Sequence, residues 1–455
     1  MQTAFNASTE EILIRLLLQM SVILFVARAV GCLFKRIGQS QSIGEICAGV
    51  ILGPSVFGWL VPGGFHALFP SEGPQIIPFF SHIGLVLTLF LIGMEFDYGE
   101  VPKYGKQVFG VALATLVLPL ATGVGLAFGL WPLAPSEKTF LAYALFIGLA
   151  LAITAIPIMG RILMELKLTK TRVGVLGITT GATKDLCTWF LLALVIGIAR
   201  PPVDVWKVAK MILLTAALGV IVLTVGRRIL ERAERALPLK GGKPNPNLLA
   251  GLLIMLLLLS AATSRIGIFA IFGAFLSGVA ISHRRELAEA VSDRLHDLTI
   301  LFFLPIFFTY TGLRVDLTKL SSMLWVWLVL VTVAGSLANS IPAYLLSRRT
   351  GMDRRESGSM AVLINTPGLM ALIILNIGLD LAVIPPTLFS LLMASSLLKN
   401  LATTPVLHRL AAKGLPTLGS GGAESLEAKP ATLTRPRGVK PIPVQARAVS
   451  QAPQG

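Results

Sequence analysis

The sequence predicts an all-α polytopic membrane protein of about thirteen transmembrane helices. Three observations carry that expectation. Apolar runs near twenty residues recur along the 455-residue chain, the length a helix needs to cross a hydrocarbon core of about 30 Å. The composition is 54% hydrophobic and only 14% charged, with mean hydropathy +0.79. A soluble domain is about a quarter charged and a disordered chain has low hydrophobicity, so both classes are excluded. Basic residues, finally, crowd into every second segment between the apolar runs.

The spans lie near 11–33, 43–61, 77–97, 106–131, 139–163, 172–198, 207–226, 247–265, 267–282, 297–313, 322–347, 357–379 and 384–410. The first carries Arg15 and Arg28 and runs on to the next without a small-residue cleavage site, so it reads as a span and not as a cleavable signal peptide. The second holds Glu45 in IGEICAGVILGPSVFG, and the third ends in FLIGMEFD with Glu95 and Asp97. Asp97 falls at an interface, while Glu45 and Glu95 suit structural pairing with Arg15, Arg28 or Arg161. The fifth span, LALAITAIPIMGRIL, is interrupted by Thr154 and Pro157. The sixth, GITTGATKDLCTWFLLALVIG, contains Lys184 and Asp185. The eighth and ninth are barely separated. The twelfth, MAVLINTPGLMALIILNIG, is interrupted by Asn365, Thr366, Pro367 and Gly368. The last carries Lys399, which either snorkels or adds a second unusual charge to the core.

Charge supports the same count. Segments after odd-numbered spans hold Lys35 and Arg36; Lys103 and Lys106; Arg161, Lys167, Lys170 and Arg172; a cluster from Arg227 to Lys243; Arg284 and Arg285; and Arg348, Arg349, Arg354 and Arg355. Segments after even-numbered spans are poor in bases. The positive-inside rule then places the N-terminus outside and the C-terminus in the cytoplasm. The chain has 39 Lys and Arg against 23 Asp and Glu, a net +16. In a soluble protein that would suggest nucleic acid. Here it assigns basic loops to an anionic lipid face, with no nucleic-acid partner. Residues 1–412 read as one transmembrane domain. Residues 413–455, rich in Pro, Gly, Ala and Ser, read as a disordered cytoplasmic tail with no room for a soluble regulatory domain.

Proline removes a backbone donor and displaces the carbonyl one turn back. Freed backbone groups at membrane depth survive only against protein or a polar cavity. The fifth and twelfth spans occupy corresponding positions in two six-span halves around a linking seventh. A matched pair of Pro/Gly-broken spans points to a transporter's midplane ion site, although either break alone also reads as a simple kink. An ionisable residue in hydrocarbon costs at least ~2.5–3.5 kcal/mol and is functional by default. Asp185 can bind a cation when ionised and release it when protonated; one carboxylate that cannot hold both gives ion–proton exchange by competition. Lys184 reads equally as a structural ion-pair partner. Thr154, Asn365 and Thr366 are candidate oxygen ligands beside the breaks. The three cysteines (Cys32, Cys47, Cys187) and five histidines show no disulfide or metal-ligand spacing, and no catalytic triad, phosphate loop or cofactor motif is evident.

Several segments in order resemble the monovalent cation:proton antiporters of the second branch, the bacterial sodium–proton and potassium–proton exchangers with plant relatives. They are IGEICAGVILGPSVFG, LVLTLFLIGMEFD, LAITAIPIMGRILMELKLTKTRVG, GATKDLCTWFLLAL, LFFLPIFFTYTGLRVDL and NTPGLMALIILNIGLDLAVIPPTLFSLL. The resemblance covers about residues 10–410. It implies an inverted-repeat antiporter fold with two crossing broken helices, a homodimer, and elevator-like movement of a core bundle against a dimerisation bundle. It also implies a secondary active antiporter exchanging protons for sodium or potassium, with no cofactor, in a plasma membrane; a bacterial inner membrane is the default.

The departures concern the charge network. The family usually carries two acids, or Asn or Gln then Asp, on the acidic span; here the first position is Lys184. Related members carry a base where Asn339 stands, and a base and an acid where Pro367 and Ala371 stand. Two readings follow. Lys184 takes over charge compensation and holds Asp185 until a cation displaces it. Or its ammonium permanently fills the cation's place: at about 4 Å and an effective dielectric near 20 it repels a cation by ~4 kcal/mol, weakening binding on the order of a thousandfold. The second reading makes the chain an antiporter-derived protein without cation exchange, such as an organic-solute carrier, a scaffold or an embedded catalyst.

Overall fold

The structure is a computed structural model. It describes residues 2–70, 76–95, 105–136, 138–154, 171–199, 205–239 and 243–411, together with Met159, Leu163 and Leu168. Among the described residues there is no β-strand. That follows from the solvent: hydrocarbon offers no partner for backbone N–H and C=O groups, and a helix satisfies its own. Pro157, Asp97 and the tail from 413 lie outside the described residues.

The helices are α1 (Gln2–Arg36), α2 (Gln41–Leu52), α3 (Ile77–Glu95), α4 (Gly105–Leu130), α5 (Phe140–Ala152), α6 (Arg172–Ala199) and α7 (Val205–Ile221). Then follow α8 (Pro246–Ile266), α9 (Ala270–Ser282), α10 (Arg285–Leu298), α11 (Leu304–Leu313), α12 (Ser322–Arg349), α13 (Arg354–Ile364), α14 (Gly368–Asp380) and α15 (Pro386–Ala411). A π-helical turn, Val222–Gly226, continues α7 into Arg227–Ala236, and another, Thr299–Phe303, joins α10 to α11. Against the thirteen spans expected, ten described helical segments are long and apolar enough to cross a membrane; α5 and α9 are apolar but shorter.

The helices sort into two bundles. In one, α2 packs on α1 and α11, α3 on α9 and α11, and α8 on α9. In the other, α4 packs on α5, α6 and α12, while α12 packs on α13 and α15. Each half of the chain thus gives its first spans to one bundle and its later spans to the other, the arrangement of a repeated unit. Polar ties cross between the bundles at one end. Arg314, which follows α11, donates to Asn376 Oδ1 (2.8 Å) and Asp380 Oδ1 (2.6 Å) on α14, and Ser390 Oγ of α15 accepts from the Asp316 amide at 2.9 Å.

Large apolar side chains face outward. Phe25 is 75% exposed, Leu258 65% and Val329 63%. On a soluble protein such a surface would be a liability; against lipid tails it is ordinary. The polar burial is inverted accordingly. Lys184, Asp185, Asn339, Thr366, Lys399 and Asn400 are all buried in the second bundle. The span α13–α14 is the most enclosed, with 89% of its apolar window buried.

Candidate ion site at the crossing of the broken helices

The first break follows directly from α5. The helix begins under the Thr139 side chain, which accepts from the Ala142 amide at 3.3 Å, and stops at Ala152. Ile153 is extended (φ −73°, ψ 144°), so the carbonyls of the last turn lose their helical partners. One of them is satisfied from another helix: Asn339 of α12 donates its amide nitrogen to Leu151 O at 2.8 Å and to Gly335 O at 2.9 Å.

The second break separates α13 from α14. The chain leaves helical geometry at Asn365, and Pro367 removes a donor at the turn. Gly368 then takes φ +49°, a left-handed conformation that a side chain would resist. Its amide donates to Asn400 Oδ1 of α15 at 3.2 Å. The breaks are tied together: Thr154 Oγ1 donates to Ile364 O at 2.7 Å.

Helix α6 brings two ionisable groups to this crossing. The Lys184 side chain is wholly buried, and its Nζ donates to Thr154 Oγ1 at 2.9 Å and to Asn339 Oδ1 at 2.8 Å. Thr154 therefore links the two: its proton goes to one break and one of its lone pairs to the lysine. The ammonium lies beside the C-terminal end of α5, where the aligned peptide dipoles leave partial negative charge. Asp185 points elsewhere, because neighbours on a helix are about 100° apart. It is 6% exposed, and among the described residues its carboxylate engages in no hydrogen bond or ion pair.

Of the sequence-proposed ligands, Thr154 is in the network and Asn365 is adjacent to it, with a buried Oδ1 that accepts no hydrogen bond. Thr366 is turned away: its hydroxyl bonds to Val362 O (3.2 Å) and Thr403 Oγ1 (3.4 Å). Asn339, aligned to a usually basic position, is the hub between α5, α6 and α12. Lys399 is buried on α15 with its ammonium against Gly335 of α12. Glu45 belongs to the other bundle, where it accepts from Gln41 Nε2 at 3.0 Å. Glu95 is on α3 of that bundle, and its side chain is outside the described residues. The pairing suggested for Arg28 is not the one it makes: it donates to the carbonyls of Ile300 and Leu301, at 3.4 and 3.0 Å. A π-helical turn shifts the regular hydrogen bonding there and presents those oxygens. Sequence reasoning missed Asn400, Gly335 and the carbonyls of Leu151 and Ile364. Only Asn400 carried a signal, as a polar neighbour of Lys399. Among the described residues no cluster of His, Cys, Asp and Glu could hold a metal ion.

The sequence model of the transmembrane sodium/hydrogen exchangers matches residues 21–412. The chain belongs to the sodium/hydrogen exchanger family. It is accordingly a multi-pass membrane transporter of the cation/proton antiporter class, not an enzyme. This exchanger is 34% identical over 408 residues to the Na(+)/H(+) antiporter NhaS4 of Synechocystis, covering 88% of the chain and 97% of that protein. It is 31% identical over 395 residues to Cation/H(+) antiporter 18 of Arabidopsis thaliana, covering 86% of the chain and 48% of the relative, so it spans about half of the plant protein's length. Among solved structures, the sodium proton antiporter MjNhaP1 of Methanocaldococcus jannaschii superimposes with a TM-score of 0.62 at 14% identity, over 88% of this chain and 99% of that one. That likeness concerns the fold, and it is the antiporter fold that the family resemblance implied.

Proposed function

We propose that this exchanger trades protons for a monovalent cation, sodium or potassium, at the Asp185 carboxylate. The observation that carries the reading is the placement of Lys184. Its ammonium is held by Thr154 and Asn339, which leaves the one carboxylate buried at the crossing among the described residues open to a cation. Asn365, with an oxygen that lacks a donor, adds a neutral ligand beside the break. Protonation of Asp185 removes the charge that holds the cation, so proton and cation exclude one another. Lys184 is the tethered competitor: it pairs with Asp185 when the cation has left and returns to Thr154 and Asn339 when one enters.

A second reading rests on the same ammonium. If Lys184 never leaves the α5 terminus, the fixed charge replaces the cation and the chain no longer exchanges ions. The two readings part in proteoliposomes, with proton flux followed while sodium, potassium and lithium are varied. Cation-dependent flux in the native chain that disappears in Asp185→Asn supports exchange. A silent native chain that gains flux in Lys184→Asn supports the second reading. Equal, cation-independent traces for the native chain and Asp185→Asn contradict the first.

The family resemblance supports a homodimer, and loop charge supports an external N-terminus and a cytoplasmic C-terminus; we take the membrane to be a bacterial inner membrane. Composition supports a transport domain over 1–412 followed by a tail over 413–455. Cross-linking in membranes and protease access to tagged termini test these assignments.

A further inference from the structure

Among the described residues, the crossing buries two ammonium groups against one carboxylate. Lys184 is 0% exposed, Lys399 6% and Asp185 6%. Lys184 has two acceptors, whereas among the described residues the Lys399 ammonium has no hydrogen bond or ion pair. An ammonium withdrawn from water without a partner is costly. A methionine or leucine would fill the same space without that cost, so packing does not account for a lysine here.

Both lysine tips converge on one turn of α12. Lys184 reaches Asn339 Oδ1. Lys399 reaches Gly335, one turn earlier, where a methyl group on the glycine would lie 2.7 Å from Nζ. The missing side chain of Gly335 is what makes room for the ammonium. The acceptors of this turn each already take a side-chain hydrogen bond. Asn339 spends its two amide protons on Leu151 O and Gly335 O, and its oxygen holds Lys184. The Asn339 oxygen holds Lys184 through one of its two lone pairs. Two ammoniums thus lie against one turn of α12, and like charges repel.

We propose that Lys399 is a positioning residue that sets cation affinity through Lys184, its charge pressing Lys184 off the Asn339 oxygen toward Asp185. This rests on the reading that Asp185 takes the cation. With Lys399 present, Lys184 competes strongly at Asp185, so cation binding is weakened and cation release is helped. Without the Lys399 charge, Lys184 settles on Thr154 and Asn339. Cation then binds more tightly and leaves more slowly.

The test is cation-driven proton flux in proteoliposomes, with KM and maximal rate measured separately for the native chain, Lys399→Met, Lys399→Arg, Lys184→Met, the Lys184→Met/Lys399→Met double variant and Gly335→Ala. Lys399→Met should lower KM on the order of tenfold and lower the maximal rate as well. Lys399→Arg should keep KM near native. Gly335→Ala, which displaces the ammonium, should shift KM in the same direction. In the Lys184→Met background, Lys399→Met should leave KM unmoved, because the residue through which Lys399 acts is gone. Thermal unfolding in detergent accompanies each variant, and Lys399→Met should melt no lower than the native chain. An equal KM shift with and without Lys184, or no shift in either, overturns the proposal while leaving exchange at Asp185 standing. A lower melting temperature with KM unchanged overturns it too, by making Lys399 structural. Absence of cation response in every protein, native included, overturns the Asp185 reading and this proposal together.

Discussion

Lys184 Nζ donates to Asn339 Oδ1 at 2.8 Å, across 155 residues of sequence, and not to the carboxylate next to it in the chain. The ammonium thereby sits where a broken helix ends, and the acid stays available. Adjacent opposite charges on one helix are thus divided between two tasks by the helical angle between them.

Replacing Asn339 tests the hub. Asn339→Leu strips Lys184 of one acceptor and leaves Leu151 O without its donor. Removing one partner of a buried charged pair or hydrogen bond costs about 1–3 kcal/mol or more. Thermal unfolding should drop accordingly. Asn339→Asp should do the opposite for Lys184: a carboxylate there pins the ammonium, and flux assays should show a lower cation KM with slower turnover.

Thr154→Val keeps the volume and removes the hydroxyl that links Lys184 to Ile364 O. The crossing loses two hydrogen bonds, one of them charge-assisted, and should lose about 1–3 kcal/mol of stability. Flux should fall more steeply than the loss of folded protein accounts for, because the breaks are no longer tied at that point. Flux normalised to folded protein in the vesicles checks this.

Arg314 carries two of the ties between bundles, to Asn376 and Asp380. Arg314→Met should weaken that junction while leaving the crossing untouched. The expected result is an altered maximal rate with an unchanged cation KM, read from the same flux curves. A changed KM would mean that the two regions are coupled through α14.

A control variant lies far from the ions. Asp353 and Glu356 form a reciprocal cap at the start of α13, at 2.6 and 2.8 Å. Asp353→Ala should cost about 1 kcal/mol of stability and leave ion selectivity as it was.

The two breaks were legible because Pro and Gly cannot continue a helix unnoticed and because Thr and Asn stand beside them. Lys184 and Asp185 were legible because charge is rare in hydrocarbon. The partners of those groups were not. Nothing local in the chain tells that Asn339 meets Lys184, since that contact depends on how α6, α12 and α5 cross. Thr366 illustrates the same limit: it stands at the break as expected, yet its hydroxyl turns to Thr403, and the side-chain oxygen left without a donor is that of Asn365. Gly335 looked like any membrane-helix glycine until Lys399 of another helix was placed against it. Arg28 found backbone oxygens, not an acid, because a π-helical turn exposes them.

The central claim is that one carboxylate carries either a proton or a cation. It is tested most directly by the proton released when sodium or potassium is added to the purified protein in weak buffer, near the pH at which the site is half occupied by protons. The account expects release from the native chain, saturating with cation, and none from Asp185→Asn. Equal release from both proteins, or none from the native chain at any pH, would contradict it.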